Sequence, residues 1–375
     1  MKRFLKKNMS MIIILAVLVL GLIVLGSAIY VTSNQKEPEI VVKDNILIEY
    51  RGSASNVTID SDVIVIGTRA FEENIKLTKL SFSENSKVKN IGHEAFINCS
   101  SLVDIVLPKG IETIGKRAFK NCTALETIII PEGVTSIEEG AFDGCTNLKS
   151  ISLPSSLVEL GEGVFNNCDS LEKMSSNSKV YEVEKNVLFA NGKTVLVKYF
   201  NKEKTTSYTV PETVVEVSSY AFQGSGLYDI VINENVKKIG KSIFSKCEKL
   251  ETIVIPFLGA SEEEVTKLAY FFGGNPTAIQ KVTILGGSEI PSIAFRNCNN
   301  LVQVVLPNTI KSIGTNAFYG LKNLVAVNIP SSVRKVENSA FEGCSKLLTI
   351  TVNKTESSTA SWGNWNPDNC QVVYE

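Results

Sequence analysis

Eight cysteines in 375 residues are the groups with the widest chemical range in this sequence: disulfides, thiolate metal ligands or a nucleophile. Their spacing argues against all three. Cys99, Cys122, Cys145, Cys168, Cys247, Cys298 and Cys344 each stand three residues after a phenylalanine, and Leu321 fills the same place after Phe318. A position that accepts cysteine or leucine is a small buried apolar site. Stacked neighbours about 4.8 Å apart would still lie within geometric reach of a bridge. Cys370 falls outside the register and has no obvious mate.

The remaining chemical residues are no more convergent. The single histidine, His93, shares its place with Lys116, Glu139, Glu162, Lys241 and Thr315, a set of mixed charge that faces water, so no histidine triad or multi-histidine metal site is expected. Gly273-Gly274 and Gly286-Gly287 lack the order that cradles phosphate. Carboxylates are plentiful without a recurring pair, which leaves a carboxylate-dependent extracellular hydrolase as a remote alternative to a non-enzyme. No cofactor and no metal are expected. With 39 acidic against 38 basic residues, nothing favours a nucleic-acid partner.

These residues are positioned by a repeat. Leu-x-x-Ile-x-Ile-Pro-x-x-Val-x-x-Ile-x-x-x-Ala-Phe-x-x-Cys runs in one full copy from Leu125 through Ile128, Ile130, Pro131, Val134, Ile137, Ala141 and Phe142 to Cys145. Its phenylalanine recurs at 71, 96, 119, 142, 165, 222, 244, 295, 318 and 341, at steps of 22 to 25 residues except at two places. A unit this short cannot bury its own apolar side and must stack on its neighbours. Alternation at Ile128 and Ile130 marks a strand that Pro131 ends, and stacked copies make a parallel sheet. Gly140-Ala141-Phe142 reads as a short helical turn on the opposite side.

The motifs resemble those of the BspA-like leucine-rich repeat proteins, at Leu107-Pro108, Ile114-Gly115, Ala118-Phe119 and Cys122, over the chain from about residue 42 to its end. The resemblance implies a leucine-rich repeat solenoid, α/β and strand-rich, in a surface or secreted protein, with some members linked to adhesion. It implies no particular ligand motif. The sequence departs from the pattern at Val164-Phe165, at Ile243-Phe244 and at Gly224-Ser225-Gly226.

Two gaps interrupt the array. Val187-Leu188-Phe189, Asn191-Gly192 and Val195-Leu196-Val197 predict a β-hairpin insert over about 176–210, with similar material at Asn45-Ile46-Leu47-Ile48. Ser261-Glu262-Glu263-Glu264 has the form of a capping box and predicts a helix through about Phe271, within an insert over 257–280. Leu268, Tyr270, Phe271 and Phe272 on it either pack onto the solenoid or form a contact patch.

Before the repeats, Met11 to Val31 carries Ser27 as its one appreciably polar residue, long enough for a transmembrane helix of about 1.5 Å rise per residue. Lys2, Arg3, Lys6 and Lys7 precede it, favouring a single-pass membrane protein with the bulk of the chain outside. Gly26-Ser27-Ala28 keeps open a cleaved signal and secretion. The organisation expected is a basic segment 1–10, the membrane span 11–31, a linker 32–41, an N-terminal β cap 42–70, the solenoid 71–351 and a C-terminal cap 352–375 with Trp362 and Trp365.

Function is expected in binding. Open strand positions would present Asp104 and Val106, Thr127 and Ile129, Ser150 and Ser152, Thr252 and Val254, Gln303 and Val305, then Ala326 and Asn328. Such a face suits a protein or cell-surface macromolecule lying across the repeats. It equally suits residues that only satisfy strand propensity in a scaffold or spacer.

Overall fold

The computed structural model describes residues 39–200, 205–354, 359, 362, 364, 365, 367 and 370–375. The chain divides into two units. In one, Met1–Val41 with Tyr50–Gly52, the described residues are 39–41 and 50–52, and the Arg51 N–H donates to the Glu39 carbonyl at 2.7 Å. The other, Val42–Glu49 with Ser53–Glu375, holds the repeats.

The apolar run 11–31 lies outside the described residues, and no helix among the described residues is long and apolar enough to cross a membrane. The expected transmembrane helix, the membrane as a partner and the single-pass location are corrected on that finding.

Most repeats contribute two strands, a longer one that alternates inward and outward and, after a turn, one of two residues. The longer strand, such as Thr127–Ile129, pairs in parallel with Ser150–Leu153, and Ile128 and Ile151 point inward in register. After Pro131 the chain turns and forms a two-residue strand, Ser136–Ile137, which pairs in parallel with Thr113–Ile114 and Glu159–Leu160. The return path is therefore itself a second parallel sheet. Gly140-Ala141-Phe142 then makes tight turns closed by hydrogen bonds of i to i−3 type, Ala141 N–H to the Glu138 carbonyl and Asp143 N–H to that of Gly140. The glycine of Ile114-Gly115 marks a close approach of backbones, since a Cβ there would stand 2.8 Å from the Ile91 carbonyl oxygen.

The phenylalanines fill the space between sheet and turn. Phe96, Phe119 and Phe142 are fully buried and stack in parallel, with ring centroids 5.2 Å and 5.4 Å apart. The turns are also stitched through the backbone: Phe96 N–H donates to the Ala118 carbonyl, Phe119 to Ala141 and Phe142 to Val164, each at 2.8–3.0 Å.

The hairpin insert has three antiparallel strands, Tyr181–Glu184, Val187–Ala190 and Val195–Tyr199. The expected turn at Asn191-Gly192 is present, and Lys185-Asn186 adds a second one, both residues having positive φ (46° and 63°) as tight hairpin turns require. The last strand then re-enters the array, pairing with Glu216–Val217, and Tyr199 N–H donates to the Ala221 carbonyl as a repeat phenylalanine would.

The second insert is a repeat in disguise. Thr252–Ile255 and Lys281–Ile284 pair directly, and the intervening residues place Phe257, Leu258, Leu268, Phe271 and Ile279 in the core. The helix expected from Ser261 is one turn, Ala269–Phe272. Ser261 Oγ does accept the Glu263 and Glu264 N–H groups, but the chain then bridges back from Val265 to Gly259 instead of continuing as a helix. A helix longer than this would remove Phe271 from the layer next to Phe244, whose N–H donates to the Phe271 carbonyl at 2.7 Å.

Candidate binding surfaces and the junction between arrays

The longer strands alternate one residue in and one out, which fixes where the expected face lies. Thr127, Ile129, Ser152, Val106, Gln303, Val305, Ala326 and Asn328 are exposed; Asp104, Ser150, Thr252 and Val254 are half-buried. Ile129 is 79% exposed and Val106 63%, large values for apolar side chains. Register brings Thr127 beside Ser150 and Ile129 beside Ser152, and places Thr252 and Gln303 on either side of Lys281. The positions do not form one continuous face. Ser150–Leu153 belongs to a three-stranded sheet ending at Lys173–Ser176, and Thr252–Ile255 and Gln303–Val305 belong to an eight-stranded sheet beginning at Ser207–Thr209. Asp104 is already paired, with Lys79 Nζ at 2.8 Å.

Leu268 and Phe271 are buried in the core, and Tyr270 and Phe272 pack half-buried against it, so the four make no exposed patch. Tyr270 donates its hydroxyl to the Ile239 carbonyl at 3.1 Å.

The cysteines hold one role six times over. Cys99, Cys122, Cys145, Cys168, Cys247 and Cys344 each donate the thiol to a phenylalanine carbonyl of the preceding layer, as from Cys122 to Phe96 at 3.2 Å. All eight cysteines are free. Burial pushes the thiols of Cys99, Cys168 and Cys298 up to about 12 and that of Cys344 to about 11. The thiolate is the reactive form, so alkylation of the folded protein at pH 8 is expected to spare the six buried cysteines, and mass spectrometry should find them modified only after denaturation. Rapid labelling of Cys122 in the folded chain would contradict that burial.

His93 is exposed, with Nε2 3.1 Å from Glu138 Oε2. Glu94, Glu132, Glu139 and Glu184 have their carboxyls held below the usual range, chiefly by hydrogen bonds from Arg69, Ser155, Lys116 and Lys193. A general acid at neutral pH needs the opposite shift. Among the described residues no group of three or more His, Cys, Asp or Glu side chains is arranged to hold a metal ion.

A site the sequence did not reveal lies where the two arrays meet. A cavity of about 670 Å³ has Gly163, Val164 and Phe165 on one wall and Val197, Lys198 and Ser218 on the other. A second, of about 290 Å³, shares Phe165 and Lys198 and adds Asn167 and Cys168. The strand Glu159–Leu160 ends its sheet here, its Leu160 N–H taken up by the Tyr181 hydroxyl at 2.8 Å. Lys198 takes the place in front of Tyr199 that alanine takes in front of the repeat phenylalanines, which draws its side chain inward; it is 9% exposed. Its Nζ donates to the Tyr220 carbonyl at 3.1 Å, and burial pushes the ammonium down to about 8.

The sequence of these layers matches the BspA type leucine rich repeat region in six copies, over residues 48–88, 65–196, 193–261 and 288–363. The chain belongs to that family. Solved structures of similar fold include a leucine-rich repeat protein from Eubacterium ventriosum (25% identity, TM-score 0.63, covering 80% of this chain and 88% of that one). Another, from Bacteroides ovatus, has 23% identity and a TM-score of 0.60, covering 91% of this chain and 100% of that one. A leucine rich cell surface protein from Faecalibacterium prausnitzii has 24% identity and a TM-score of 0.53, with 88% and 90% covered. No curated protein matches the chain. The recurrent cysteine of this motif has a constant task in six of its seven register positions, where its thiol donates to a phenylalanine carbonyl of the layer before.

Proposed function

We propose that this BspA-type repeat protein is a non-catalytic binding protein, acting at the cell surface or in secreted form, which takes another protein across its outward strand positions. The observation that carries the reading is the exposure of Ile129 and Val106 among small polar and β-branched neighbours, apolar surface that none of the described residues covers. The naming of the Faecalibacterium prausnitzii relative as a cell surface protein supports the location. Thr127→Glu combined with Ile129→Lys is expected to leave thermal unfolding unchanged within about 0.5 kcal/mol. The same variant should lose at least tenfold in protein capture, compared with the parent chain by quantitative mass spectrometry. Unaltered capture by this variant and by its counterparts at Ser152, Gln303 and Asn328 would remove the strand positions from the reading.

One observation favours a second role, a scaffold or spacer. Several surface charges pair from layer to layer, as Lys89 with Glu112, Lys149 with Glu126 and Lys120 with Asp143 at 2.6–2.8 Å, and Ser152 with Ser175 through their hydroxyls. Under that role no strand-position variant changes capture.

A further inference from the structure

Nine of the ten repeat phenylalanines donate their backbone N–H to a carbonyl of the next layer; Phe165 alone has no partner among the described residues. The turn before it shows what is missing. Gly140, Phe142 and Gly144 donate to the carbonyls of Glu162, Val164 and Asn166, three acceptors spaced two residues apart. In the following turn the corresponding donors are Gly163, Phe165 and Asn167. The third is met by the Gln223 side chain, Oε1 accepting from the Asn167 N–H at 2.9 Å, while the first two have no acceptor among the described residues and border the larger cavity. Two further groups at the same place are incompletely used. Among the described residues Lys198 has one hydrogen bond and no carboxylate partner, whereas Lys238 and Lys241 in the same cavity are paired with Glu216 at 2.9 Å and Glu162 at 3.7 Å. Asn167 Oδ1 is buried without a hydrogen-bond partner, although its Nδ2 donates to Asp143 Oδ1 at 2.7 Å.

Unpaired N–H groups, a buried ammonium and an orphan amide oxygen are each unfavourable, and their coincidence along two cavities that share Phe165 and Lys198 defines a complementary guest. Acceptors spaced two residues apart are peptide carbonyls, the same groups that fill this ladder elsewhere. We propose that the junction between the two arrays is a second binding site, for an extended acidic peptide segment. Its carbonyls accept from Gly163 and Phe165, its carboxylate side chain meets Lys198, and a donor of its own reaches Asn167 Oδ1. The site stands whether or not the strand positions bind anything.

Hydrogen–deuterium exchange of the full chain with oligoglutamate as the probe tests it. Exchange across residues 161–168 is expected to slow with oligoglutamate and not with oligoglutamine of equal length. Lys198→Met is expected to weaken the oligoglutamate effect at least tenfold while protection in other repeats stays as in the parent. Val197→Trp, which fills the cavity and leaves the ammonium in place, should abolish the effect and serves if the lysine variant folds poorly. Equal protection by oligoglutamine would overturn the choice of an acidic guest. Protection by acetate or inorganic phosphate to the same extent would overturn the choice of a peptide. No protection with oligoglutamate would overturn the site.

Discussion

Phe119→Ala is expected to lower the stability of the N-terminal array by about 3–5 kcal/mol, the range for deleting a fully buried ring whose surroundings cannot collapse. Collapse is blocked on both sides here. Phe96 and Phe142 stack on Phe119 at interplanar angles of 2°, and each is tied by its own N–H to the next layer, so neither ring is free to move into the space. The loss should be local to one array. The buried cluster running from Val187 to Trp365 contains no residue before Val187, and both tryptophans lie within it. In denaturant, tryptophan fluorescence should therefore report an unshifted transition, while exchange or circular dichroism shows the N-terminal layers unfolding at lower denaturant. An equal shift in both signals would mean that the arrays unfold as one body.

Lys198→Met is expected to act in the opposite direction and raise stability. The ammonium is held at about 8, down from an ordinary 10.5, so keeping it charged in the fold costs roughly 3 kcal/mol at neutral pH by the usual conversion. Loss of the hydrogen bond to the Tyr220 carbonyl offsets about 1 kcal/mol, leaving a gain on the order of 2 kcal/mol. The sign with pH follows from the depressed value. Below about 8 the lysine is charged in both folded and unfolded chains and the penalty is complete. Between about 8 and 10.5 the folded form loses its proton first, and the penalty fades. The melting temperature of the variant should thus exceed that of the parent at pH 7 and fall to it, then slightly below it, as pH rises through that window. A gap that stays constant with pH would show that packing, and not the charge, is responsible. Asp143, Asp169, Cys168 and Cys247 all act to hold the proton on, and desolvation outweighs them.

The repeat period, the inward strand positions and the buried cysteine slot were legible because each recurs: a residue seen in the same place in several copies reports its environment. Tyr199 and Leu268 were not, since they stand in the array without the alanine before them or the usual spacing, and only backbone pairing, their N–H groups donating to the Ala221 and Ala294 carbonyls, reveals their rank. Ser261 caps its turn as the local sequence predicts, yet no long helix follows it, because the array's need for Phe271 in the core overrides local preference. The return-path sheet was missed because two residues are too short a run to show alternation. The junction cavity leaves no trace in composition at all. It arises from what Gly163 and Phe165 lack, and an unmet donor has no signature in the letters of the chain.

The interruption at Phe165 also matters for a chain under tension. Within either array, pulling along the stack loads many parallel backbone hydrogen bonds together with interlocked rings. At the layer of Gly163 to Asn167 two of those bonds are missing, and a tyrosine hydroxyl and a glutamine side chain stand in for others. Force should therefore open the molecule there first, giving an early step in single-molecule extension that separates two intact arrays before either unravels.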